Sequence, residues 1–187
     1  MALPTLLSSH TPGRSAVAPV QSVGSADLAA AIALRTDLWS PLLAFREETR
    51  WARLLDADDV APAVDPALHV ALRYVDIWLL SWLPGQATAL HDHGHSSGAF
   101  AVAQGTLSER VVTAGHRGRH ARERAADLGT GGVRAFGRYY VHQVRNASTE
   151  PAVSVHVYAP KLSVMNTYRL EDSRLTRIGT EQAGVDW

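Results

Sequence analysis

The sequence predicts an all-β domain, a barrel or sandwich with helices in front of it, and three features predict it. From about Ala67 onward the chain breaks into short runs of β-branched and aromatic residues separated by glycine. One of those runs, Val153-Ser154-Val155-His156-Val157-Tyr158, alternates apolar and polar residues without exception, which is the period of a strand. Ahead of them, Asp27-Leu28-Ala29-Ala30-Ala31-Ile32-Ala33-Leu34 is an alanine-rich stretch of the kind that forms a helix.

Taken in order, residues 1–25 are rich in Ser, Pro, Gly and Ala without periodicity, and are expected to be a flexible N-terminal tail. Residues 26–187 are expected to form one domain, since this length buries a single continuous core. Ser25 reads as the N-cap of the alanine-rich helix, and Ser40-Pro41 as a second helix start. The strand candidates are Ile77 to Leu83, Ala99 to Ala103, Leu107 to Thr113, Val133 to Phe136, Tyr139 to Val144 and Val153 to Tyr158. His116 to Arg124, with four arginines and two histidines, reads as a solvated hairpin loop in preference to a basic binding loop. Glu171 to Trp187 is polar and is expected to lie as a loop against the barrel.

Lysine plus arginine and aspartate plus glutamate number 18 each, so no overall positive field draws the protein to nucleic acid or anionic membrane. A small neutral or zwitterionic ligand suits this balance better. There is no cysteine, which removes disulfide scaffolds, thiolate metal sites and cysteine nucleophiles and leaves nine histidines as the soft-metal ligands. No run approaches 18 apolar residues and the N-terminus has no secretion-signal block, so the expectation is a soluble, cytoplasmic protein, and a monomer.

In Leu90-His91-Asp92-His93 the histidines are two apart, and on a strand such residues face one side about 6.5–7 Å apart, close enough to converge on one ion. Gly85 and Gly105 bracket the pair, and Gly85 to Gly105 resembles the first signature of the cupin superfamily. Gly137-Arg-Tyr-Tyr-Val-His142-Gln-Val-Arg-Asn146 resembles the second, in which a later strand brings another histidine. The resemblance implies a double-stranded β-helix, or jelly-roll, barrel with His142 as third ligand. The usual cupin glutamate after the paired histidines is missing, because that region reads Gly94-His95-Ser96-Ser97-Gly98-Ala99. Three neutral imidazoles leave a divalent ion's charge uncompensated and favour an anionic substrate donor such as a thiolate. Iron suits such a site, and zinc competes for it, since three histidines and a water also make a catalytic zinc site. His95 shares the parity of the two ligands, and Asp92, of opposite parity, is placed to anchor the turn or to back a ligand.

The stripe Ser154, His156 and Tyr158, ending in Tyr158-Ala159-Pro160, resembles the cysteine dioxygenase family, bacterial type, whose members carry Ser-x-His-x-Tyr beside a three-histidine iron. What that implies is a non-haem Fe(II) enzyme that oxidises L-cysteine with O2 to cysteine sulfinic acid. Tyr158 would stand over the iron, His156 and Ser154 would orient it, and the Ala159-Pro160 bond would be cis. The family's substrate-carboxylate arginine corresponds to Arg53 in Arg50-Trp51-Ala52-Arg53-Leu54, with Arg50 and Arg73 as alternatives. A guanidinium fork matches a carboxylate well. Gly98 stands where animal members have a cysteine linked to the tyrosine, so no crosslink forms, and Trp51 stands where they have tyrosine, with a reshaped pocket as its expected effect. The rival readings are a dioxygenase of another small thiol such as 3-mercaptopropionate, a non-catalytic metal-binding cupin sensor, and a zinc hydrolase, which lacks a well-placed glutamate as base.

Overall fold

The computed structural model describes residues 24–115 and 120–183. Their strands form two antiparallel sheets. The first has the order β1 (Trp51–Leu54), β2 (Asp76–Trp82), β9 (Ala152–Ala159), β4 (Ser97–Gln104), β7 (Val133–Phe136). The second runs β11 (Arg174–Gln182), β10 (Val164–Glu171), β3 (Leu90–Asp92), β8 (Val141–Arg145), β5 (Thr106–Thr113), β6 (Arg122–Gly129). Their inner faces pack on one another: Trp82, Phe100 and Val102 of one sheet join Leu107, Val144 and Met165 of the other in one buried cluster. This is the mostly-β barrel that the glycine-punctuated runs predict, in the cupin form that the resemblance of the two histidine signatures implies.

The outer face of the first sheet is covered as well. Helix α1 (Ser25–Ala33) buries Leu28, Ala29, Ile32 and Ala33, positions one turn apart that form a single stripe, against Ile77, Leu79, Ala101, Val153, Val155 and Val157. Trp39 and Trp51 extend the same cluster. With a helix outside and the second sheet inside, β9 is buried without a break from Ala152 to Tyr158. Strand β9 therefore has two dry faces, and the polar one looks into the barrel.

Several boundaries differ from expectation. Ser25 is the first helical residue, and not the cap, because Gly24 is extended and its carbonyl already accepts from the Leu28 amide. Ser40-Pro41 opens a single 3-10 turn, Ser40–Leu42. The C-terminal segment is a strand: Asp172 and Ser173, both at positive φ, make the mirror-image turn that suits a two-residue hairpin, and β11 pairs with β10 along its length. Residues 1–23 of the expected tail and 116–119 of the basic loop lie outside the described residues, while Arg122–Gly129 is strand. The Ala159-Pro160 bond is cis. Among the described residues no helix is long and apolar enough to cross a membrane.

Candidate active site

Three histidines meet inside the barrel. His91 on β3 lies directly opposite His142 on β8, and His93 follows two residues later on the same side. The chain can end β3 there because Gly94 turns it at φ +58, where a Cβ would meet the Val164 side chain at 2.7 Å. Asp92 points the other way and fixes that turn, accepting from the Gly94 amide at 2.8 Å, Asn166 at 2.8 Å and the Tyr168 hydroxyl at 2.6 Å. Burial, then the Asp92 carboxylate, push the Tyr168 phenol up to about 12, so it stays a donor. Of the two tasks open to Asp92, turn anchoring is the one it performs.

One ring nitrogen from each of His91, His93 and His142 lies within 4.8 Å of the others. His91 Nδ1 donates to the Ala89 carbonyl at 2.9 Å and His142 Nδ1 to Glu109 Oε1 at 2.8 Å, which leaves each Nε2 with a free lone pair. His142 Nε2 and His93 Nδ1 are buried with no hydrogen-bond partner among the described residues. Burial, reinforced by His142, pushes His91 down to about 3, and burial likewise holds His93 well below the usual histidine range. A dry group of neutral imidazoles with unsatisfied nitrogens suits a divalent metal. His95 is exposed and outside this group.

A hydrogen-bonded file runs along the inner face of β9. Trp82 Nε1 on β2 donates to Ser154 Oγ at 2.9 Å, Ser154 Oγ meets His156 Nε2 at 2.9 Å, and His156 Nδ1 makes a long contact of 3.5 Å with the Tyr158 hydroxyl. The far end reaches the three-histidine group, where the Tyr158 and His93 ring centroids are 5.0 Å apart. Burial raises the Tyr158 phenol well above its ordinary value, which keeps its proton in place. Trp82 is an addition to the stripe, legible as the third inward residue of Trp78, Leu80 and Trp82. Gly98 on β4 lies opposite both Tyr158 and Phe136, and a Cβ there would collide with the Val157 carbonyl and touch the Phe136 ring at 3.0 Å.

The two arginines of Arg50-Trp51-Ala52-Arg53 are placed differently. Arg53 is exposed on β1, whereas Arg50 lines a cavity of about 190 Å³ together with His91, Ala52, Thr167, Met165 and Glu181. Alternation along β1 explains this: Ala52 faces the cavity, so Trp51 and Arg53 face outward, and only an arginine on the parity of Ala52 reaches inside. Trp51 accordingly packs under the helices and does not shape the pocket. Arg50 also stands 5.9 Å from the centroid of the Trp82 ring. Arg73 is exposed and does not line this cavity.

Glu109 is a further residue of the site, outside the set predicted from sequence. It is 2% exposed on β5, with Oε1 on His142 Nδ1 and Oε2 accepting from Arg134 Nε at 2.7 Å. Burial alone would raise its pKa, but the His142 bond and the Arg134 charge outweigh that and hold the carboxyl below its usual range. Both oxygens are engaged, so Glu109 is not the free base a hydrolase needs. The signal was present in Leu107, Glu109 and Val111, a lone carboxylate on the inward parity of an apolar strand.

Among solved structures the chain is similar to TT1209 from Thermus thermophilus, at 22% identity over 65% of this chain and 93% of that one, with a TM-score of 0.48. It is also similar to the oxalate decarboxylase of Lactobacillus farciminis, 18% identical over 65% of this chain and 32% of that one, TM-score 0.48. The oxalate decarboxylase of Bacillus subtilis matches at 16% identity over 67% and 29%, TM-score 0.48. The model of one family, cysteine dioxygenase type I, matches residues 44–171, a span that takes in every strand from β1 to β10, the three histidines and the Ser-His-Tyr file. The chain belongs to the cysteine dioxygenase type I family.

Proposed function

We propose that this member of the family oxidises L-cysteine with O2 to cysteine sulfinic acid, with Fe(II) held by His91, His93 and His142. What carries the choice of substrate is Arg50, a cation in the same small cavity as His91. Its planar fork takes the substrate carboxylate in two parallel hydrogen bonds, which sets the rest of a short thiol towards the histidines. Glu181 lines the same cavity and gives it a negative group suited to an ammonium. A cavity with one charge of each sign suits an α-amino acid better than the singly charged 3-mercaptopropionate. The iron would supply the one-electron chemistry that lets ground-state O2 react with a thiol.

The chain's own residues then have distinct tasks. Trp82 can only donate, so it occupies a lone pair of Ser154 Oγ. With the Ser154 proton on His156 Nε2, His156 Nδ1–H points at the Tyr158 oxygen, and the Tyr158 proton is left to face the substrate. Tyr158 thus serves as a hydrogen-bond donor to the reacting groups, held by His156 and Ser154. The interleaved wall of Phe136, Phe100 and Met165 keeps bulk water away.

The test is O2 uptake with product analysis on protein loaded anaerobically with Fe(II), offered L-cysteine and 3-mercaptopropionate in parallel. Stoichiometric cysteine sulfinate, with Arg50→Ala raising KM for cysteine about 10-fold or more, is the expected outcome. Sulfinate from 3-mercaptopropionate alone would keep the iron site and overturn the substrate. Bound iron with no uptake on either thiol would favour the binding-protein reading.

A further inference from the structure

The two strand-paired ligands are backed differently. His91 leans on a neutral backbone carbonyl, whereas His142 leans on the carboxylate of Glu109. Three neutral imidazoles leave the charge of a divalent ion uncompensated. We propose that Glu109 is a positioning residue that returns the missing negative charge to the metal centre from one hydrogen bond away, through the His142 ring. The proposal rests on the three-histidine metal reading above.

Three observations carry it. A carboxylate at 2% exposure is costly to bury, and a surface salt bridge with Arg134, itself one-third exposed, would not require it to be there. Its two oxygens are divided, one to His142 Nδ1 and one to Arg134 Nε, so the contact to the histidine is a dedicated bond at 2.8 Å. The atom of His142 left over, Nε2, is a buried nitrogen without a hydrogen-bond partner among the described residues, aimed at the other two histidines. A carboxylate behind a ligating imidazole fixes the tautomer that exposes Nε2 and raises its donor strength. The strand register makes this possible: Val111 on β5 lies beside His142, and Glu109, two residues away on the same face, reaches back under the ring. Tyr140, edge-on to His142 at 5.3 Å between centroids, stands over the pair.

Glu109→Gln is the discriminating variant, because its amide oxygen can still accept from His142 Nδ1 while the charge is gone. Arg134→Gln is its control, because it breaks the same salt bridge and leaves the carboxylate on the histidine. Co(II) and Fe(II) affinity would be measured by competition with a chromophoric chelator, together with the visible spectrum of the Co(II) protein and the melting of each metal-free protein. Glu109→Gln is expected to bind either metal about 10- to 100-fold more weakly, with shifted Co(II) bands, while Arg134→Gln binds no more weakly than the parent. Binding by Glu109→Gln within about twofold of the parent, with an unchanged spectrum, would overturn the proposal. So would an equal loss in both variants, which would make the pair a scaffold. If Glu109→Gln does not fold, Arg134→Gln decides alone, since a loss of about 10-fold there contradicts the proposal and retained affinity supports it. A parent protein that binds neither metal would overturn the metal reading itself, and this proposal with it.

Discussion

The two faces of β9 are equally dry and differ in every other respect. Val153, Val155 and Val157 are at 0% exposure beneath α1, and Ser154, His156 and Tyr158 are at 0%, 4% and 4% inside the barrel. The valine face asks only for apolar neighbours of the right volume. The polar face asks for particular atoms at particular distances, because each buried donor or acceptor must be met. Equal burial therefore makes one face a packing surface and the other a hydrogen-bonded file, and the two should fail in different ways.

Acid should separate them most. Burial, with help from neighbouring histidines, holds His91 near 3 and His93 and His156 well below their usual range, whereas the unfolded chain protonates them near 6.5. A group whose folded pKa is lowered gives its full stability above the unfolded value and loses it as pH falls towards the folded one. The metal-free protein should lose denaturant stability steadily from about pH 6.5 to 5, above the ordinary carboxylate range. A flat profile over that interval would mean that these histidines are already solvated.

Tyr158→Phe comes next, with kcat reduced by about 100-fold or more and little change in melting temperature, since the ring is kept and only the donor is lost. Unchanged kcat and unchanged coupling of O2 to sulfinate would remove Tyr158 from the reaction. On the opposite face Val155→Ala should cost about 2 kcal/mol of stability while kcat per folded molecule stays the same. A fall in kcat at full folding would show that the helix side of β9 governs the site. The smallest effect is on β1, where Arg53→Ala should alter stability by no more than about 0.5 kcal/mol and leave kcat/KM for cysteine untouched. A loss of cysteine turnover there would restore Arg53 to the pocket in place of Arg50.

The parts of the molecule written in periodicity were legible without coordinates. The runs around Ile77, Ala99, Leu107, Val133, Tyr139 and Val153 all became strands, and His91, His93 and His142 came together as their spacing and signatures implied. What escaped depended on registration between segments. Arg50 and Arg53 are equally good carboxylate partners as residue types, and only the parity of β1 against the cavity separates them. Glu109 has meaning only through β5 lying beside β8, a pairing across some thirty residues that no local pattern announces. Strand β11 was missed because its hairpin turns at Asp172-Ser173, and because one of its faces is left to solvent and its apolar alternation is thin.

Gly98 bears on how the protein comes into service. The wall beside Tyr158 has no room for even a methyl group at that position, and the sequence contains no cysteine anywhere. No cysteine of this sequence is there to be joined to the phenol, so a thioether at this position does not form. On the proposed activity, no early phase in which a crosslink builds up is expected. Progress curves should start at full slope, and the tyrosine must keep its pose by hydrogen bonding and packing alone.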